Sequence, residues 1–350
     1  MVQTTRYASV LAKMGAGRSQ LLGESKLKAL TEAKNIADFT AQLRETTYEK
    51  QITKISTLLT NQKIERAFTE NLIETYIKII KYSPKKTSEF LRLYLLRFEI
   101  ENIKSLVKAA NANLSPEQKA SKIYFSAEAY LDQLDVIEEA AKSTDLRQTV
   151  NSFKATEYFS ALKMGMGSFE EDGSTACFDV LLDKHFYEKI YDEYQRLPSI
   201  EQRHANPYVS LENDGFVLLT LLRGINLHYD PNWLRLAVPS KRFNLTDQIV
   251  EGIVTAADFE SALKTAQESD YAKFFVKASS PEETISNARK AITRQLFLNA
   301  KESRFTEIFN IGAILAFLTL KQTEVQNLVA ISLSVEAELK AEIIMSQLLF

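Results

Sequence analysis

Apolar side chains return along this chain at the spacing of an α-helix. Leu91, Tyr94, Leu95, Phe98, Asn102, Leu106 and Ala109 share one face with a single polar member, and Leu96, Ile100, Ile103, Val107 and Ala110 form a second stripe beside it. Two apolar stripes on one helix predict an element packed between others. Helix starts are written just as plainly. Ser115-Pro116-Glu117-Gln118 and Ser280-Pro281-Glu282-Glu283 each combine a hydroxyl cap, a proline in the first turn and an acceptor three residues on. That combination satisfies the backbone N–H groups left over at a helix start.

A longer period lies over the helical one. An acidic residue, an apolar neighbour and a second apolar residue one turn later occur as Asp38-Phe39 with Leu43, Asp145-Leu146 with Val150, and Asp258-Phe259 with Leu263. A hydroxyl residue then stands two before a tyrosine, in Thr46-Thr47-Tyr48, Thr156-Glu157-Tyr158 and Ser269-Asp270-Tyr271. Further on, a strongly apolar helix carries Glu99, Asn102 and Lys104, then Asp214 with Val217 in the asparagine's place, then Glu324 and Asn327. Three elements in constant order, about 110 residues apart, predict three homologous helical domains. The expected boundaries are residues 1–112, 113–228 and 229–350, the last with a helical tail after Ser334. The glycine-rich stretch Gly165 to Gly173 is expected to be a mobile loop of the second domain.

Composition supports an all-α fold. Among 350 residues there are 10 Gly and 7 Pro, with no glycine between Glu24 and Met164 and no proline after Pro281. Such scarcity fits neither many-turned sheets nor glycine-rich nucleotide loops. With 43 Lys and Arg against 45 Asp and Glu, the formal charge is −2, and bulk electrostatics offer nothing to nucleic acid or anionic lipid. One cysteine, Cys177, forms no internal disulfide and points to a reducing compartment. The opening MVQTTRYASVLAKMG does not read as a secretory signal. Phe216–Leu222 and Ile311–Leu320 fall far short of the roughly 20 residues that cross a bilayer, so any membrane association is expected to be peripheral.

Sites of chemistry are sought and not found. Gly15-Ala16-Gly17-Arg18-Ser19 has neither the lysine nor the spacing of a phosphate loop. His185, His204 and His228 fit no metal-ligand pattern, and the chain has no Asp-Asp pair for magnesium and pyrophosphate. The clusters Glu138-Glu139, Glu170-Glu171-Asp172 and Glu282-Glu283 lie beside helix caps or in a polar loop, where solvation explains them. No catalytic, cofactor-binding or metal residue is therefore expected, nor a cofactor or bound small molecule. Polar residues on apolar helices must instead find hydrogen bonds inside the fold. Tyr48, Glu99, Asn102, Lys104, Tyr158, Asp214, Tyr271, Glu324 and Asn327 are expected to form a buried network joining helices of one domain. Direct contact with a partner is the other reading of the same residues. Lys85, Lys86, Lys241 and Arg242 are weak candidates for partner contact, since solvated loops explain them as well.

These residues also carry a family resemblance. Tyr7-Ala8-x-Val10 followed by Leu21-Leu22, Thr46-x-Tyr48, Glu99-x-Glu101-Asn102-Ile103-Lys104, Thr156-x-Tyr158, Phe178 to Tyr187, Leu221-Leu222-Arg223 and Lys321-x-x-Glu324-x-x-Asn327-Leu328 resemble the C subunit of the archaeal-type rotary ATPase. That family is related to the d subunit of the vacuolar ATPase. Met14-Gly15-Ala16-Gly17 departs from it, placing glycines where the family usually runs a charged helix. The resemblance implies three similar helical domains arranged as a funnel, present as one copy per complex at the cytoplasmic face of a membrane. It implies a non-catalytic central-stalk subunit set between the shaft subunits of D and F type and the proteolipid ring, with ATP chemistry done elsewhere. A soluble helical-repeat adaptor would share the domains and lack the membrane complex. A helical enzyme would need convergent, desolvated acid and base groups in a cleft.

Overall fold

The computed structural model describes residues 2–55, 59–303 and 309–350, and all regular structure among them is helical. The longest helices, Lys85–Asn111, Ser199–Asn226 and Ile311–Glu336, carry the three acidic positions of the repeat. Each stops in the same way. Asn113, His228 and Glu338 adopt left-handed backbone with φ of 51°, 59° and 55°. One residue further on, the N–H groups of Leu114, Tyr229 and Leu339 donate to the carbonyls of Ala109, Gly224 and Ser334, each at 3.0 Å. This pair of features caps the otherwise unpaired carbonyls of a last helical turn. Each left-handed residue lies fourteen positions beyond its acid, Glu99, Asp214 or Glu324.

Contacts divide the chain into two compact units, residues 1–91 with 297–350, and residues 92–296. The first is therefore made from both ends of the chain. Its centre is Ile311–Glu336, which is buried around most of its circumference, from Ile311 through Val335. This helix packs on Asn61–Tyr82 and on the short helices Glu24–Thr31 and Ile36–Gln42. Phe39, Phe68 and Tyr48 fill the space between, with Tyr48 and Phe68 edge to face at 5.3 Å. The glycines that depart from the family pattern, Gly15 and Gly17, do not interrupt the first helix, since Val2–Ser19 is continuous. A Cβ on Gly17 would stand 2.6 Å from the Phe317 ring, so the missing side chain is what lets the two helices approach.

In the second unit Phe159–Asp172 pairs with Ala176–Arg196, which packs in turn on Ser199–Asn226. Leu218, Leu221 and Leu222 of that helix meet Ile253, Ala262, Phe275 and Ala288 in one apolar core. The stretch from Gly165 is not a loop. It is helical through Asp172, and only Gly173, at φ 71°, leaves the helix as its cap. Tertiary packing overrides the glycines' low helix propensity, for Gly165 lies beneath Phe178, whose ring a Cβ would meet at 2.6 Å.

The predicted helix starts are present. Ser115 and Gln118 form a reciprocal capping box, and Ser280 Oγ accepts from the Glu283 N–H at 3.2 Å. One repeat element shifts register. Asp145 and Asp258 cap short helices by accepting from the N–H groups of Gln148 and Ser261, but in the first copy Asn35 is the cap, accepting from Asp38 at 2.9 Å. Asp38 instead reaches back to the Lys34 N–H. The true counterpart of Asp145 is thus Asn35, an uncharged acceptor three residues earlier, and each cap now stands thirteen residues before its tyrosine.

Candidate functional site

The three tyrosines are delivered by the same local turn. Thr46, Thr156 and Ser269 each donate a hydroxyl hydrogen bond to a preceding carbonyl, at 2.6, 2.8 and 2.6 Å. Each also accepts from the tyrosine's own N–H, at 3.2, 3.3 and 3.2 Å. A hydroxyl bonded in both directions substitutes for regular backbone pairing and fixes the tyrosine where the chain turns. The phenol then runs inward and donates to a buried carboxylate: Tyr48 to Glu324 at 2.6 Å, Tyr158 to Glu99 at 2.7 Å and Tyr271 to Asp214 at 2.8 Å.

Each tyrosine therefore bonds the acid that precedes it in the repeat order, and the first bonds the last. Tyr48 and Glu324 are 276 positions apart. Tyr158 reaches back across the boundary expected at 112, and Tyr271 across that expected at 228. Burial, then the adjacent carboxylate, holds all three phenols above their ordinary range, so they remain donors.

The acids differ in what else compensates them. Glu324 accepts from the Lys321 ammonium at 2.8 Å, and that ammonium also donates to the Tyr48 oxygen at 2.8 Å and lies over the Tyr48 ring. Burial lowers the Lys321 pKa, and Glu324 opposes the shift. Asp214 is met by backbone instead. It accepts from the N–H groups of Phe243 and Asn244, at 3.0 and 2.7 Å, as well as from Tyr271. Glu99 accepts from Tyr158, and Asn102 one turn on donates at 2.5 Å to a second buried acid, Glu128.

The asparagines clamp backbone. Asn102 accepts from the Tyr124 N–H at 2.8 Å and donates to the Tyr124 carbonyl at 3.3 Å. Asn327 makes the same two bonds to Leu349, at 3.1 and 2.5 Å. Each clamped residue lies twenty-two positions on. In the middle copy that position is Pro239, which has no N–H to offer, and Val217 replaces the asparagine. Loss of the donor explains loss of its acceptor. Lys104 joins a different cluster, donating to Asp183 at 2.6 Å and Glu101 at 2.9 Å. Burial would lower its pKa, but the two acids outweigh burial and raise it.

The basic candidates separate into two kinds. Lys85 and Lys86 are at a helix start, whereas Lys241 pairs with Asp192 at 2.6 Å and Arg242 with Asp247 and the Pro239 carbonyl. Sequence reasoning did not single out Glu128, Asp183 or Lys321 as network members. Lys321 and Asp183 were within reach, since Lys321 stands one turn before Glu324 and Asp183 lies in the family-like Phe178 to Tyr187 segment. Glu128 left no signal, because Phe243 occupies its place in the middle copy.

No group of His, Cys, Asp and Glu suited to a metal ion occurs among the described residues. No helix among them is long and apolar enough to cross a membrane. The molecule is thus an all-helical protein whose repeated polar motifs are bonded inward. Residues 10–347 match the family model described as ATP synthase (C/AC39) subunit, and the chain belongs to that family. It is similar to the C subunit of the A-type ATP synthase of Methanocaldococcus jannaschii, 23% identical over 100% of this chain and 88% of the relative. The same subunits of Methanothermobacter thermautotrophicus and Thermococcus kodakarensis are each 25% identical. These alignments cover 94% and 97% of this chain and 83% and 89% of the relatives.

Proposed function

We propose that this chain is the non-catalytic coupling subunit of a rotary ATPase, set at the cytoplasmic face of the membrane between shaft subunits of D and F type and the proteolipid ring. The observation that carries the reading is the family match over nearly the whole chain. The interior supports it: Tyr48, Tyr158, Tyr271, Glu324, Asp214 and Lys104 all bond within the protein, an arrangement that holds helices together. In this reading the chain is three copies of one helical module with joints near 112 and 228, a division favoured by the caps at Asn113, His228 and Glu338. Lys85 and Lys86 are the better partner-contact candidates, because internal acids already engage Lys241 and Arg242.

An affinity pull-down of the tagged protein from gently solubilised membranes of its own host, with mass spectrometry of what is retained, tests the assembly. The expected result is recovery of proteolipid, shaft and catalytic subunits in fixed ratio to one copy of this chain. Recovery of soluble partners alone from a preparation in which the ATPase is intact would replace the coupler with a soluble adaptor.

A further inference from the structure

The three equivalent acids sit in three electrostatic settings, and in one of them the acid has a neutral donor while a second buried acid is bonded to Asn102, one turn on along the same helix. Glu324 is beside the Lys321 ammonium and Asp214 accepts from two backbone N–H groups. Glu99 is 3% exposed, and Glu128, bonded to Asn102 one turn on along the Glu99 helix, is 0% exposed. Their hydrogen-bond donors are Tyr158 for Glu99 and Asn102 for Glu128, and Glu128 Oε2 has no partner among the described residues. The surrounding charges are already committed. On the Lys85–Asn111 helix Arg92 pairs with Asp132 at 3.8 Å. From the Ala176–Arg196 helix Lys189 pairs with Glu157, beside Tyr158, and His185 lies edge-on to the Tyr158 ring at 5.4 Å with Nε2 3.9 Å from Glu157.

Two buried carboxylates held only by neutral donors are each driven toward the protonated form, because desolvation disfavours the charge and a second like charge in the same interior adds to that cost. We propose that Glu99 and Glu128 form a proton-binding site, which holds a proton in the folded protein near neutral pH and loosens the helices it joins when that proton leaves. Nothing in the coupling role requires this site, and it stands apart from that reading.

The electrostatics agree with the geometry. Burial raises Glu128 to about 8, with Glu99 adding to the shift, and burial raises Glu99 to about 7 against the opposing Tyr158 hydrogen bond. The two titrate as a pair. An acid whose pKa rises on folding takes up a proton as the chain folds. Its contribution is therefore complete below the unfolded value of about 4.5 and is lost as pH climbs through about 7 to 8.

The test is the thermal unfolding of the full chain as a function of pH, for the native protein and for Glu128→Gln, which keeps an acceptor for Asn102 and removes the charge. The native melting temperature is expected to fall by about 5 °C or more between about pH 6 and about pH 9. Glu128→Gln is expected to flatten that fall and to melt above the native protein at the alkaline end. Parallel curves, or a variant less stable than the native protein at alkaline pH, would overturn the proposal. Should the variant not fold, infrared difference spectra of the native protein decide. A protonated-carboxyl C=O band present at about pH 7 and gone by about pH 9 supports the bound proton, and its absence at neutral pH refutes it.

Discussion

Glu324 and Glu99 occupy the same position of a repeated helix and bond the equivalent tyrosine hydroxyl at nearly the same length, 2.6 and 2.7 Å, yet only Glu324 also accepts from a buried ammonium. In the unit of residues 1–91 and 297–350 a lysine one turn away neutralises the acid. In the unit of residues 92–296 the corresponding neighbour, Leu96, is apolar, and a second buried acid, Glu128, is bonded to Asn102 one turn on. Backbone geometry is thus kept by the tyrosine and the asparagine clamp, while the charge solution is free to drift from copy to copy. What the repeat preserves is the hydrogen bond, not the ion pair.

The largest expected effect comes from removing the cation. Lys321→Met leaves Glu324 buried without its cation, with Tyr48 as its side-chain donor, and should cost about 3–5 kcal/mol in urea unfolding of the full chain. Adding Glu324→Gln should recover most of that loss, and a double-mutant cycle without such coupling would break the contrast between the two sites. Next in size is the clamp. Asn102→Leu strands the Tyr124 backbone and takes from Glu128 the hydrogen bond it accepts, and a loss of about 3 kcal/mol is expected by the same assay.

Tyr271→Phe should cost less, about 1 kcal/mol, because Asp214 keeps its two backbone donors. A larger loss there than for Tyr158→Phe would reverse the order in which the two acids depend on their tyrosines. Smallest is Glu338→Gly at the left-handed cap, which should stabilise by about 1 kcal/mol or less, read from the shift of the urea midpoint.

Much of this organisation was legible because it repeats. Hydroxyl-x-tyrosine and the Glu-x-x-Asn helix stand out by order and period, and the structure uses both as hydrogen-bonding devices. Their pairing was not legible. Nothing local in the sequence tells Tyr48 to choose Glu324 over Glu99, since the choice depends on which helices close into one unit. Asp38 misled as the counterpart of Asp145 and Asp258 because it lies within the capping turn, donating its N–H to Asn35 and accepting from the Lys34 N–H. The glycines from Gly165 misled for a different reason. Their propensity favours a loop, but Gly165 is needed where Phe178 presses on the helix, a contact no periodicity reveals.

The closure of the first unit by two distant stretches of chain sets an order of events during synthesis. Residues 92–296 have all the partners of their own unit once the ribosome has passed them, but Tyr48 must wait for a glutamate made 276 residues later. At about 5–20 residues per second, that delay is on the order of tens of seconds. Throughout it Phe39, Phe68 and Tyr48 lack the helix that covers them, so the nascent amino-terminal segment is a natural client for a chaperone. It also means that trimming at either end damages the same unit.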